Sequence, residues 1–92
     1  MCRNIHTLYN LDPPTSDEEV RAAAVQYVRK ISGFSKPSQA NEAVFARAVE
    51  AVTDASLRLL AELVTAAPPR DREALAERAR ARGQIRAAAR AG

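Results

Sequence analysis

Apolar residues recur at helical spacing along two stretches of the chain. Val20, Ala24, Tyr27, Val28 and Ile31 fall at i, i+4, i+7, i+8 and i+11, one face of a helix. Val44, Phe45, Ala48, Val49, Val52, Ala55, Leu59, Leu60, Leu63 and Val64 form a second seam, with Glu42, Arg47, Glu50, Asp54, Arg58 and Glu62 mostly off it. Punctuation brackets both stretches. Pro13-Pro14, Gly33 with Pro37, and Pro68-Pro69 divide the chain into four pieces. The first helix is predicted over about residues 16–32. Thr15-x-x-Glu18 and Ser16-x-x-Glu19 both read as capping boxes, and Asp17, Glu18 and Glu19 place negative charge at the positive end of the helix dipole. Arg29 and Lys30 suit its last turn, and Gly33 supplies its stop.

The second helix is predicted from near Ser38 to about residue 66. At the standard helical rise it is about 42 Å long against about 25 Å for the first. The short loop between them predicts an antiparallel hairpin with Tyr27, Val28, Ile31, Phe45, Val52 and Leu59 buried. The second helix then overhangs by roughly 17 Å. Ile5, Leu8 and Tyr9, at i, i+3 and i+4, predict one helical turn in an N-terminal strap that docks on the hairpin. A third, weaker helix follows Pro69, with Leu75 and Ile85 as its large apolar residues. The fold class is all-α, a small three-helix bundle. Residues 1–69 form the helical core domain and 70–92 an Arg/Ala-rich helix or tail.

Composition agrees: Gly is 3 and Pro 5 in 92 residues, aromatics are only 4%, and Ala is abundant, which favours helices over strands. No run is long and apolar enough to cross a membrane. One Cys excludes an internal disulfide, and no signal peptide is visible, so the expectation is a cytoplasmic protein. The net charge of +3 is unevenly divided. Residues 1–69 carry seven Lys/Arg and eight Asp/Glu, net −1; residues 70–92 carry seven Arg and three acids, net +4.

Several blocks agree in order and spacing with one pattern: Cys2-Arg3-Asn4-Ile5, Pro13-Pro14, Tyr27-Val28-Arg29-Lys30-Ile31-Ser32-Gly33, Lys36-Pro37-Ser38 with Ala40-Asn41, and Leu63-Val64-Thr65 before Pro68-Pro69-Arg70. Over about residues 2–73 the chain resembles a family of small bacterial proteins catalogued as a domain of unknown function. The resemblance implies a bacterial cytoplasmic setting and a self-contained domain. It implies no activity, substrate or cofactor.

Three constellations could carry chemistry. Cys2 and His6, four apart, have the spacing of paired metal ligands, but a closed zinc site needs four. A twofold dimer would supply two of each. As a catalytic pair they lack an orienting group, so the chain reads as non-enzymatic. Arg29, Lys30, Lys36 and Ser38 cluster around the interhelical loop, where a phosphate or an acidic partner fits. Arg78, Arg80, Arg82 and Arg86 suit electrostatic binding of nucleic acid, with no aromatic nearby to stack on bases. A helix-turn-helix is disfavoured, because acids on the long second helix would meet phosphate. The leading expectation is a protein-interaction module. Its alternatives are a metal- or redox-active protein using Cys2 and His6, and nucleic-acid binding through the arginines. Leu59, Leu60, Leu63 and Val64 on the overhang further predict a homodimer.

Overall fold

The computed structural model describes residues 3–91, with side chains through residue 86. It is mostly helical. The elements are strand β1 (Leu11–Asp12), helix α1 (Asp17–Ser32), a 3₁₀ turn (Gln39–Asn41), helix α2 (Glu42–Glu62), strand β2 (Arg70–Asp71) and helix α3 (Arg72–Ala91). The short parallel ladder β1–β2, with Leu11 opposite Arg70 and Asp12 opposite Asp71, was not foreseen from the sequence. Two compact units result, one from the residues up to Tyr9 with Thr15–Thr65, the other from Asn10–Pro14 with the residues after Thr65.

In the first unit, α1 begins with a single capping box. The Ser16 hydroxyl accepts from the Glu19 amide at 3.3 Å, and the Glu19 carboxylate accepts from the Ser16 amide at 3.0 Å. Thr15, the other capping candidate, instead donates its hydroxyl to the Leu8 carbonyl at 2.7 Å. Gly33 ends the helix as expected, with φ +79° and its amide on the Arg29 carbonyl at 3.0 Å. That left-handed conformation is what a glycine adopts without steric cost.

α1 and α2 pack through a narrow strip. Ala24, Val28 and Val49 are its buried centre, with Val25, Phe45, Ala48 and Val52 packed around them. The expected core is corrected here. Val28 is buried, and Phe45 and Val52 are half-buried. Tyr27 is 46% exposed, Ile31 67% and Leu59 56%. The buried residues of α1 are Val20, Ala24 and Val28, a single i, i+4 row. Ala24 and Ala48 hold the contact to small side chains, and two packed helices cover only a narrow arc of each other, so the flanks stay open. Arg21 pairs with Glu50 across the same contact.

Two further expectations are corrected. The helical turn through Ile5, Leu8 and Tyr9 is replaced by turns and extended chain. Its polar groups find other partners: the Asn4 amide donates to the Gln26 Oε1 at 2.8 Å, and the Leu8 carbonyl serves Thr15. α2 is also shorter than its seam suggested, ending at Glu62 with Leu63 already extended (ψ 142°). Its 21 residues exceed the 16 of α1 by 5, so the excess length is about 8 Å rather than 17. The chain from Leu63 onward runs toward β2, and the β-branched Val64 and Thr65 favour that extended path.

The second unit is a backbone clasp followed by α3. Asn10, at φ +57°, donates its side-chain amide to the carbonyls of Ala67 and Pro68, each at 3.2 Å. The Arg70 amide donates to the Asn10 carbonyl at 2.9 Å. Arg72 Nη1 reaches the carbonyls of Pro13 at 3.3 Å and Pro14 at 3.5 Å. Asp71 Oδ1 accepts from the Glu73 amide at 2.9 Å and so caps the start of α3. The Asp12–Pro13 peptide is cis.

Candidate functional site

The face of α1 opposite its buried row carries an open groove of about 500 Å³. Helical spacing builds it: Glu18, Arg21, Ala22, Val25, Gln26, Arg29 and Lys30 recur three and four apart along one side of α1, and Asn4 lies across them. Gln26 fixes that crossing through its hydrogen bond to the Asn4 amide. The Gln26 side chain here holds the backbone of an N-terminal turn.

The charges are not equivalent. Arg21 is engaged by Glu50. Arg29 and Lys30 are exposed, make no ion pair among the described residues, and stand in the last turn of α1. That position at the C-terminal end of a helix is favourable for cations. Ala22 and Val25 supply a small apolar floor.

Of the four residues expected around the interhelical loop, the groove brings together Arg29 and Lys30. Lys36 and Ser38 lie outside it. Ser38 does not cap α2 through its hydroxyl. Its oxygen accepts from Asn41 Nδ2 at 2.9 Å, because a 3₁₀ turn stands between it and the helix. Arg21, Gln26 and Asn4 were missed as partners of Arg29 and Lys30. The signal for Arg21 and Gln26 was present in their i, i+4 and i, i+8 spacing; the crossing of Asn4 carries no local signal.

His6 is exposed, with Nδ1 3.0 Å from the Thr7 carbonyl. Cys2 lies outside the described residues. Among those that are described, no three His, Cys, Asp or Glu gather as a metal ion would require. Arg78, Arg80, Arg82 and Arg86 are all exposed on α3. Arg78, Arg82 and Arg86 share one flank at i, i+4 and i+8, while Arg80 is turned about 160° away. No helix among the described residues is long and apolar enough to cross a membrane.

Fold and groove together define a small, mostly helical protein with a cation-lined surface groove and a separate arginine-bearing helix. The chain belongs to the family described as an uncharacterized conserved protein, DUF2277, whose model matches residues 1–78. No curated protein and no solved structure matches it.

Proposed function

We propose that this protein is a non-enzymatic interaction module of the bacterial cytoplasm, whose α1 groove takes an acidic segment of a partner protein. The observation that carries the reading is the pair Arg29 and Lys30, exposed and without an ion pair among the described residues, on the wall of an open groove. Charge complementarity then selects the occupant. Carboxylates meet the two cations, and the bidentate guanidinium of Arg29 adds orientation to attraction. The bond from the Asn4 amide to Gln26 supports a groove that takes backbone beside the two cations. The reading takes α1 and α2 as an antiparallel hairpin, which the short loop and the Arg21–Glu50 pair support.

A titration tests this. A synthetic peptide of six glutamates within a flexible Gly/Ser frame is added to the full chain, with its glutamine counterpart as control. The acidic peptide is expected to perturb amides along α1 and to bind at least tenfold more tightly than the control. The double change Arg29→Gln, Lys30→Gln should abolish the difference, and Lys36→Gln should leave it intact. Equal loss with Lys36→Gln would mean that general charge, not the groove, attracts the peptide. A second copy of the chain is the competing occupant of its exposed apolar surface, and sedimentation velocity at micromolar concentration reads it out.

A further inference from the structure

α3 carries a charge arrangement that the groove on α1 does not use. From Arg78 to the last residue the sequence has five arginines and no acid. The family match ends at residue 78, where this run begins. The acids Glu73 and Glu77 of α3 fall on the flank of Arg80, 100° or more from the row of Arg78, Arg82 and Arg86. Asp71 is nearer that row, but its carboxylate is occupied in capping the Glu73 amide. Arg70 extends the row backward: with Asp71, Ala74, Leu75 and Arg78 it lines an open groove of about 480 Å³ at the head of the helix. Arg78, Arg82 and Arg86 make no ion pair among the described residues.

Successive arginines in this row are about 6 Å apart along the axis. Like charges at i, i+4 repel and destabilise the helix that bears them. An anionic ligand with regularly repeated charge relieves the repulsion at each step, so binding and helix formation support each other. We propose that Arg78, Arg82 and Arg86, with Arg70 at the head of the same flank, form a strip that binds the phosphate backbone of double-stranded nucleic acid without sequence preference.

Three features select that ligand. Residues 70–92 contain no Phe, Tyr, Trp or His, so bases of a single strand have nothing to stack on. The helix offers only Leu75, half-buried, and Ile85 as large apolar residues, too little for the broad apolar face of a membrane-surface helix. No Trp or Tyr stands among the arginines to anchor a protein surface, and the even spacing of the row matches repeated phosphates. A rod of regularly spaced phosphates needs neither.

The test uses the full chain and fluorescence anisotropy. The probes are two unrelated 20-base-pair DNA duplexes, an RNA duplex, the matching single strands, and vesicles containing phosphatidylserine. Both DNA duplexes should bind equally, and more tightly than single strands or vesicles. With three to four phosphates neutralised, raising salt from 50 to 200 mM should weaken binding about 40- to 150-fold. The RNA duplex separates the two backbones: equal affinity assigns the strip to phosphate alone, and binding of one duplex type assigns it to that backbone. The triple change Arg78→Gln, Arg82→Gln, Arg86→Gln should cost at least tenfold and flatten the salt dependence, while the triple Arg→Lys variant retains binding. Arg29→Gln with Lys30→Gln should leave duplex affinity as it is while removing the preference for the acidic peptide, which assigns the two ligands to different residues. Helix content, read by circular dichroism, should rise when duplex is added. The proposal fails if no duplex binds at 50 mM salt, if vesicles or single strands compete better, or if the Gln variant keeps its salt slope.

Discussion

Thr53 sits in the middle of α2 with only 6% of its surface exposed, a polar residue among Val49, Val52 and Phe45 along the same helix. Its hydroxyl donates to the Val49 carbonyl one turn back at 2.7 Å, which satisfies the group without a partner from another element. The hydrophobic pattern passes over such a residue, because periodicity counts side chains by polarity and Thr53 is buried by position. The reverse holds for Ile31, an aliphatic residue at a core-like spacing left two-thirds exposed. These two residues fix the direction of a mutational test. Val49→Ala removes two buried methyl groups from the centre of the strip and should cost about 2 kcal/mol or more. Ile31→Ala removes more atoms yet should cost within about 0.5 kcal/mol of nothing. Urea denaturation of the two variants decides it; a larger loss at Ile31 would restore the wider core inferred from spacing alone.

At the level of elements, capping chemistry announced both ends of α1 but neither end of α2, which starts behind a 3₁₀ turn and stops at Glu62. Ser16 with Glu19 and Gly33 mark the two ends of α1 within the local chain, and both are found in use. The parallel pair of β1 and β2 was not legible, because two residues per strand give no alternation to detect and the partners lie far apart in sequence. Pro13-Pro14 and Pro68-Pro69 read as breaks when taken singly. In the structure the carbonyls of Pro13 and Pro14 accept from Arg72 and that of Pro68 from Asn10, which holds two segments side by side. α3 shows what propensity alone provides. Gly83 lies in its interior, and a Cβ built there meets nothing within 4 Å, so neither packing nor a positive φ calls for glycine. Gly83→Ala should stabilise the helix by about 1 kcal/mol and raise the helical signal in circular dichroism. An unchanged spectrum would show that something beyond intrinsic propensity holds α3 in helix.

The charge divides near residue 70, whereas the interactions divide between two units, the second of which also draws in Asn10–Pro14. α1 and α2 close their core within the first unit, and β1, β2 and α3 find their backbone partners within the second. Removing residues 70–92 therefore takes away the partner of β1 and the guanidinium that holds Pro13 and Pro14, but no member of the Ala24–Val28–Val49 strip. The shortened chain keeps seven Lys/Arg against eight Asp/Glu, so its net charge passes from +3 to −1. Its melting curve should remain cooperative, with amides of α1 and α2 still protected from hydrogen exchange and those of residues 10–12 exposed. On a native gel near neutral pH it should migrate toward the opposite electrode from the full chain. Duplex binding should disappear with α3, while the acidic peptide, drawn by Arg29 and Lys30, should bind as before. A truncated chain that melts without cooperativity would make the second unit part of the folding core. One that loses both ligands together would make α3 necessary to both, against the assignment of the acidic peptide to Arg29 and Lys30 of α1.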